Sequence, residues 1–250
     1  MTEKNSNSDI LIIGAGVAGI EASLMLSKSD RKVHLVEKTS YTGGTTIKFE
    51  EVFSNMECST CMVAPIQQEI LHDKNINLLT LAEVEDVKGS IGNITVKIHK
   101  KARYVDMENC IGCNACFEPC PVRLKNEFEE HLSERKAIYV PCAGTLPNVP
   151  MIDTEHCLRF NGKDCQACQE ACMFEAIDFN QKDEQIELKV GAIIVATGFS
   201  TYNVEQSPKY GYGKIDDVYT ALEFERLYAS NGPTEGKIAV SYTHLRAHET

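Results

Sequence analysis

The chain has 250 residues, 43% hydrophobic and 24% charged, which suits a packed core in one large domain or two ordinary ones. Its net charge of −11 argues against nucleic acid as a main partner, and its longest apolar stretches, Ile10 to Ile20 and Val190 to Ala196, are too short to cross a membrane. Met1 to Ser8 lacks the basic and apolar regions of a secretory signal, so the chain is expected in the cytoplasm, where eleven cysteines point to metal ligation or catalysis rather than disulfides.

The first predicted elements are a strand over Asp9–Ile13, a glycine loop, a helix with apolar spacing over Ile20–Leu26 and a strand over Lys32–Glu37. A continuously apolar first strand suits a parallel sheet covered on both faces. The loop reads G-x-G-x-x-G at Gly14, Gly16 and Gly19: the first glycine permits the tight turn, the second lets backbone approach a pyrophosphate, and the third allows close helix–strand packing. Glu37 follows 18 residues beyond Gly19, at the end of the next strand, where a carboxylate accepts hydrogen bonds from a ribose diol and disfavours a 2′-phosphate. A helix using glycine only for packing leaves Glu37 unexplained. The loop alone does not separate FAD from NAD.

Residues 45–75 read as irregular, with a helix over Ile66–Leu71. Strands follow over Leu78–Leu81, Glu83–Val87 and Ile94–Ile98, with a turn at Gly89–Asn93, which together suggest a small antiparallel meander. Within the irregular part lies Cys58-Ser59-Thr60-Cys61. It reads as a dithiol exchanging electrons with the cofactor, as half of a third iron-sulfur site, or as two buried thiols of no special role.

Residues 101–180 read as an insertion carrying two cysteine runs, C-x2-C-x2-C-x3-C-P at Cys110, Cys113, Cys116 and Cys120, and C-x7-C-x2-C-x3-C at Cys157, Cys165, Cys168 and Cys172. Three thiolates within seven residues followed by Cys-Pro wrap a backbone around a cubane corner by corner, so two 4Fe-4S clusters are expected. Structural zinc is the alternative, but zinc usually takes two separated C-x2-C pairs. Cys142 stands alone and reads as structural; His34 and His156 need no role. Strand character resumes over Gln185–Val190 and Ala192–Gly198. Neither a low-complexity linker nor a solenoid period is present.

Glu37-Lys38-Thr39-Ser40-Tyr41-Thr42-Gly43-Gly44, with Ala196-Thr197-Gly198, resembles the two-dinucleotide-binding-domain flavoproteins such as the thioredoxin reductase group. The resemblance implies FAD in the first site, with Gly43 and Gly44 near the pyrophosphate, Lys38 beside them, Thr197 and Gly198 closing the site, and Val84 near the adenine. Adding Glu57-Cys58-Ser59-Thr60-Cys61, Arg103-Tyr104-Val105-Asp106, Asn126-Glu127-Phe128, Arg135-Lys136-Ala137-Ile138-Tyr139, Tyr210-Gly211-Tyr212-Gly213 and Leu222 to Leu227, the stretch from Asp9 to Val240 resembles the heterodisulfide reductase A-subunit family.

That resemblance implies an α/β fold: a Rossmann-like FAD-binding domain from residues 1–100 and 181–240, with an inserted α+β two-cluster ferredoxin-like domain over 101–180. As in two-cluster ferredoxins, it implies crossed ligation, with Cys110, Cys113, Cys116 and Cys172 on one cluster and Cys157, Cys165, Cys168 and Cys120 on the other. Met173 stands where the ferredoxin pattern usually has proline. The implied activity is electron transfer among FAD, the clusters and other redox subunits of a heterodisulfide reductase-like complex, with ferredoxin or hydrogenase-type donors and, in some members, flavin-based bifurcation. The alternatives are a non-catalytic protein that only wires partners together, and a thiol oxidoreductase using Cys58 and Cys61. Residues 241–250 do not match and resemble the spurious ends of truncated reading frames, so the chain is expected to be a fragment.

Overall fold

The computed structural model describes residues 7–53 and 55–237; Ile238 to Val240 and the non-matching tail from residue 241 lie outside the described residues. Strand β1 (Ile10–Ile13) leads through the glycine loop into helix α1 (Val17–Ser27) and strand β2 (Val33–Val36). A 3-10 turn over Gly44–Lys48 follows, then a two-residue hairpin of β3 (Glu51–Val52) and β4 (Glu57–Cys58), helix α2 (Ser59–His72) and strand β5 (Ile76–Leu79). Strands β6 (Ala82–Ser90) and β7 (Asn93–Lys100) form the long hairpin.

The segment after β7 holds two short hairpins, β8 (Leu124–Lys125) with β9 (Glu134–Arg135) and β10 (Ile138–Tyr139) with β11 (Met151–Ile152), and the single-turn helix α3 (Ala167–Glu170). Strands β12 (Glu184–Val190) and β13 (Ala192–Val195) follow, and after two 3-10 turns comes helix α4 (Ala221–Tyr228).

Four strands form a parallel sheet in the order β13-β1-β2-β5. Its apolar strands alternate between two cores. Ile12, Val33 and Leu35 face α1 and α2, whereas Leu11 and Val36 face a three-stranded antiparallel sheet, β12-β7-β6. Burial on both faces is why β1 is apolar throughout.

Two expectations are corrected. The run expected as the first strand of a meander is β5, which pairs parallel with β2; the third strand of the antiparallel sheet is β12, from the far side of the cysteine segment. Propensity finds a strand but not its partner, because Lys100 pairs with Glu184 across a separation of 84 residues, and register over that distance is a tertiary matter. The helix expected over Ile66–Leu71 begins at Ser59 and runs through Pro65. Burial of Val63, Gln67 and Ile70 along one side outweighs the hydrogen bond the proline cannot donate.

Because Lys100 and Glu184 are paired neighbours, residues 101–183 leave and return at adjacent strand ends. They have their own core, in which Val105, Ala137, Ile138, Ile152 and Ile177 pack with six of the cysteines, four of them buried.

Candidate functional site

The glycine loop is positioned by β1 and capped from β2. Gly14 N–H donates to Val36 O at 2.8 Å, and Ala15 N–H donates to Glu37 Oε2 at 2.8 Å. Glu37 Oε1 accepts from Thr39 N–H at 2.8 Å and from Thr39 Oγ1 at 2.9 Å. The buried carboxylate therefore also fixes the loop itself, a role that ribose binding alone does not include. The second loop arrives beside the first, with Gly43 N–H donating to Ala15 O at 2.8 Å and a parallel bridge joining Gly16 to Gly43.

Two of the three loop glycines are required by the protein itself. A Cβ on Gly14, at φ +104°, would lie 2.3 Å from Ala196 O, and one on Gly19 would lie 1.9 Å from Gly14 O. Gly16 differs. Its φ of −74° is open to any residue, and the nearest atom to an added Cβ is Gly44 Cα at 3.9 Å. Nothing in the protein demands glycine there. A ligand lying on the loop would demand it, and the free N–H groups at the start of α1 offer donors and a positive dipole end to a pyrophosphate.

The other expected residues surround this loop. Gly44 has φ +60° and packs on Gly16, Lys38 is exposed, and Thr197 and Gly198 follow β13 in exposed positions, Gly198 at φ +74°. Val84 is half-buried on β6, two residues past Ala82, whose N–H donates to Glu37 O at 2.9 Å.

The eight cysteines of the two runs line two cavities, each about 340 Å³ counting its mouth. Cys110, Cys113, Cys116 and Cys172 line one; Cys120, Cys157, Cys165 and Cys168 line the other. The sets are crossed, each taking its fourth cysteine from the other run. Among the described residues no three His, Cys, Asp or Glu side chains come together at the spacing of one ion, whose zinc–sulfur bonds are about 2.3 Å long. Burial pushes Cys116 up to about 12 and Cys168 up to about 11, with neighbouring sulfurs adding to both, so a bound group must displace their protons.

The two runs are built alike in a way the sequence reading missed. Asp106 O accepts from Cys110 N–H at 3.1 Å and Asp153 O from Cys157 N–H at 2.9 Å, while each carboxylate receives N–H groups of the turn between. The signal was a D-x3-C preceding each run. Arg103 entered only as part of a resemblance; its guanidinium joins Ser40 O, Thr80 Oγ1 and Val149 O, tying the glycine-loop side to the cysteine segment.

Cys58 and Cys61 lie apart from both cavities, exposed, at the start of α2. Cys58 Sγ accepts from Cys61 N–H at 3.3 Å, and the hydrogen bonds from Cys61 hold its pKa below the usual thiol range while Cys61 is raised. The reading of both as buried thiols is therefore corrected. Cys142 is buried, with Sγ 3.2 Å from Thr145 Oγ1, and burial raises its pKa.

Residues 9–49 match the FAD binding domain model, and residues 103–123 match the 4Fe-4S binding domain model. The chain is 42% identical over 232 residues to the A subunit of ferredoxin:CoB-CoM heterodisulfide reductase from Methanosarcina acetivorans, covering 91% of this chain and 29% of that one. It is 45% identical over 226 residues to the iron-sulfur A subunit of CoB–CoM heterodisulfide reductase from Methanocaldococcus jannaschii, covering 90% and 34%. It is 41% identical over 228 residues to the A subunit of H(2):CoB-CoM heterodisulfide,ferredoxin reductase from Methanothermobacter marburgensis, covering 91% and 34%. The chain thus spans about a third of the length of these relatives. Among solved structures, L-proline dehydrogenase from P. horikoshii aligns at 22% identity over 37% of this chain and 19% of that one, with a TM-score of 0.33.

Proposed function

We infer that this chain, which belongs to the heterodisulfide reductase A-subunit family, is an oxidoreductase subunit that passes electrons between FAD, two 4Fe-4S clusters and partner redox subunits. The observation that carries the reading is the crossed cysteine sets standing in one chain with a glycine loop whose middle glycine the protein's own packing does not require. When bound, FAD exchanges electrons as a hydride equivalent or singly and each cluster exchanges one at a time.

The residues supply placement. Gly14, Gly16 and Gly19, with Gly43 and Gly44, hold the pyrophosphate against the start of α1; Glu37 offers its remaining lone pair to the ribose; Lys38, Val84, Thr197 and Gly198 border the site. Cys110, Cys113, Cys116 and Cys172 ligate one cluster, and Cys120, Cys157, Cys165 and Cys168 the other. Residues 1–100 and 181–240 act as the FAD-binding domain, and 101–180 as an inserted ferredoxin-like domain. Partners are further subunits of a heterodisulfide reductase-like complex, supplied by ferredoxin or hydrogenase-type donors, and we place the chain in the cytoplasm. Among the described residues no helix is long and apolar enough to cross a membrane. Bifurcation is a property to be sought in the assembled complex.

The test is anaerobic purification with flavin and iron counts and EPR after dithionite reduction. FAD with coupled cluster signals is the expected result; a chain with zinc and no flavin overturns it. A second reading has one observation behind it: the exposed Cys58, with its lowered pKa at a helix start, fits a thiol oxidoreductase. Thiol-dependent turnover that survives Cys58→Ser with Cys61→Ser removes that reading.

A further inference from the structure

We propose that Arg103 is the fixed counter-charge of the cavity lined by Cys110, Cys113, Cys116 and Cys172, a positioning residue that raises the reduction potential of the cluster held there. The proposal rests on reading that cavity as a cluster site.

Arg103 is 6% exposed, and its guanidinium donates only to uncharged oxygens: Val149 O at 2.7 Å, Ser40 O at 2.8 Å and Thr80 Oγ1 at 2.8 Å. Among the described residues no carboxylate pairs with it. The other buried arginines show how this chain ordinarily treats such a charge. Arg226 is fully buried and holds Glu129 with two bonds, at 2.9 and 3.0 Å; Arg135 is paired with Glu127 and with Asp153. A buried cation with neutral partners alone carries a desolvation cost that hydrogen bonds only partly offset. An anion within electrostatic reach removes that anomaly.

The cysteine cavity is in the wall beside it, and a cluster bound there would be that anion. Val105, two residues along, lines the cavity, as does Pro150, which adjoins the acceptor Val149; Ile152 N–H donates back to Arg103 O at 3.2 Å. Burial lowers the pKa of Arg103 to about 10, and the Cys110 sulfur, a member of that set, works against the fall. Beside the second cavity, no described cation is both buried and without a carboxylate. The cations beside it are Lys136, half-buried and donating to Cys120 O at 2.6 Å; Arg135, paired with Glu127 and Asp153; and Arg159, half-buried against Phe179 and 3.9 Å from Asp164.

Reduction at such a site adds one electron and no proton, so the site becomes one unit more negative. A cation locked in a low-dielectric wall favours that reduced state. The two cysteine sets are therefore electrostatically unequal, with the Arg103 side the better acceptor, and Arg103 also touches the loop that follows Glu37 through Ser40 O.

The test is EPR-monitored potentiometric titration of the anaerobic holoprotein with dithionite, the relevant signal being the one altered by Cys113→Ser. Arg103→Met removes the charge and keeps bulk. It is expected to shift the reduction equilibrium of that signal at least tenfold toward the oxidised form, which for one electron is 59 mV, with the other signal unmoved. Arg103→Lys is expected to hold the potential near the parent value while lowering the melting temperature. Thr80→Asp, which puts a carboxylate in place of the hydroxyl that the guanidinium already bonds, should lower the same potential while leaving the bonds to Ser40 O and Val149 O, and it decides the matter if Arg103→Met does not fold. An unmoved potential beside a full iron count, or equal shifts in both signals, overturns the proposal alone. If Cys113→Ser costs neither iron nor signal, there is no cluster in this cavity and the proposal falls with the reading it rests on.

Discussion

Gly16 separates packing from binding at the level of a single residue. Gly16→Ala should cost at most about 1 kcal/mol of stability, the size of a changed helix N-cap. If FAD lies on the loop, a methyl group there intrudes on it, so bound flavin should weaken at least tenfold, read by fluorescence of released flavin. Gly19→Ala should behave oppositely in cause. Its Cβ meets Gly14 O at 1.9 Å, so the protein itself should lose about 1–3 kcal/mol or fail to fold. The thiols of Cys58 and Cys61 make a second comparison possible. Cys58 is lowered by its bonds from Cys61, and Cys61 is raised, so the Cys58 thiolate persists to lower pH. At neutral pH iodoacetamide should label Cys58 several-fold faster than Cys61 in peptide mass mapping, and their rates should converge as pH rises.

Among the elements, α4 is held by a charge and a cap. Thr220 and Glu223 form a capping box at its start, and Arg226 reaches from it to Glu129, in the cysteine segment, and to Lys48 O at 2.7 Å, at the end of the 3-10 turn. Glu129→Gln strands a fully buried guanidinium and is expected to cost about 3–5 kcal/mol in denaturant melts. Thr220→Ala should cost about 1 kcal/mol. Strand β9 carries a pH dependence of its own. The bond from Arg135 holds Glu127 below the usual carboxylate range; burial pushes Asp153 up, but Arg135 and His156 outweigh it and its pKa is lowered as well. Folded pKa values below the unfolded ones contribute stability that is present above about pH 4 and lost as pH falls through the lowered values. Denaturation midpoints should therefore fall between about pH 5 and pH 3, and Arg135→Met should flatten that slope.

For the whole molecule, the glycine loop, the acid after β2 and the cysteine spacings were legible because each is a local covalent pattern whose chemistry depends on residues a few positions apart. Gly14, Gly16 and Gly19 needed only a strand before and a helix after them, both visible as apolar periodicity. The crossing of Cys120 and Cys172 was reached through likeness to ferredoxins, since no spacing within one run says which cavity its last thiol enters. Other features were not legible. That β5 joins the parallel sheet, that β12 completes the sheet begun before the cysteine segment, and that Arg103 lies buried with no carboxylate partner among the described residues all depend on chain segments dozens of residues apart meeting in one core. Pro65 within α2 shows the same limit from the other side, local preference giving way to the burial of Val63 and Ile70. The sequence by itself determined which ligands the chain is built to hold, because ligation and phosphate binding are written in residue type and spacing. Only the tertiary structure decided how those sites are joined and charged, because the dielectric around a buried guanidinium and the partner of an edge strand exist only once distant segments have packed.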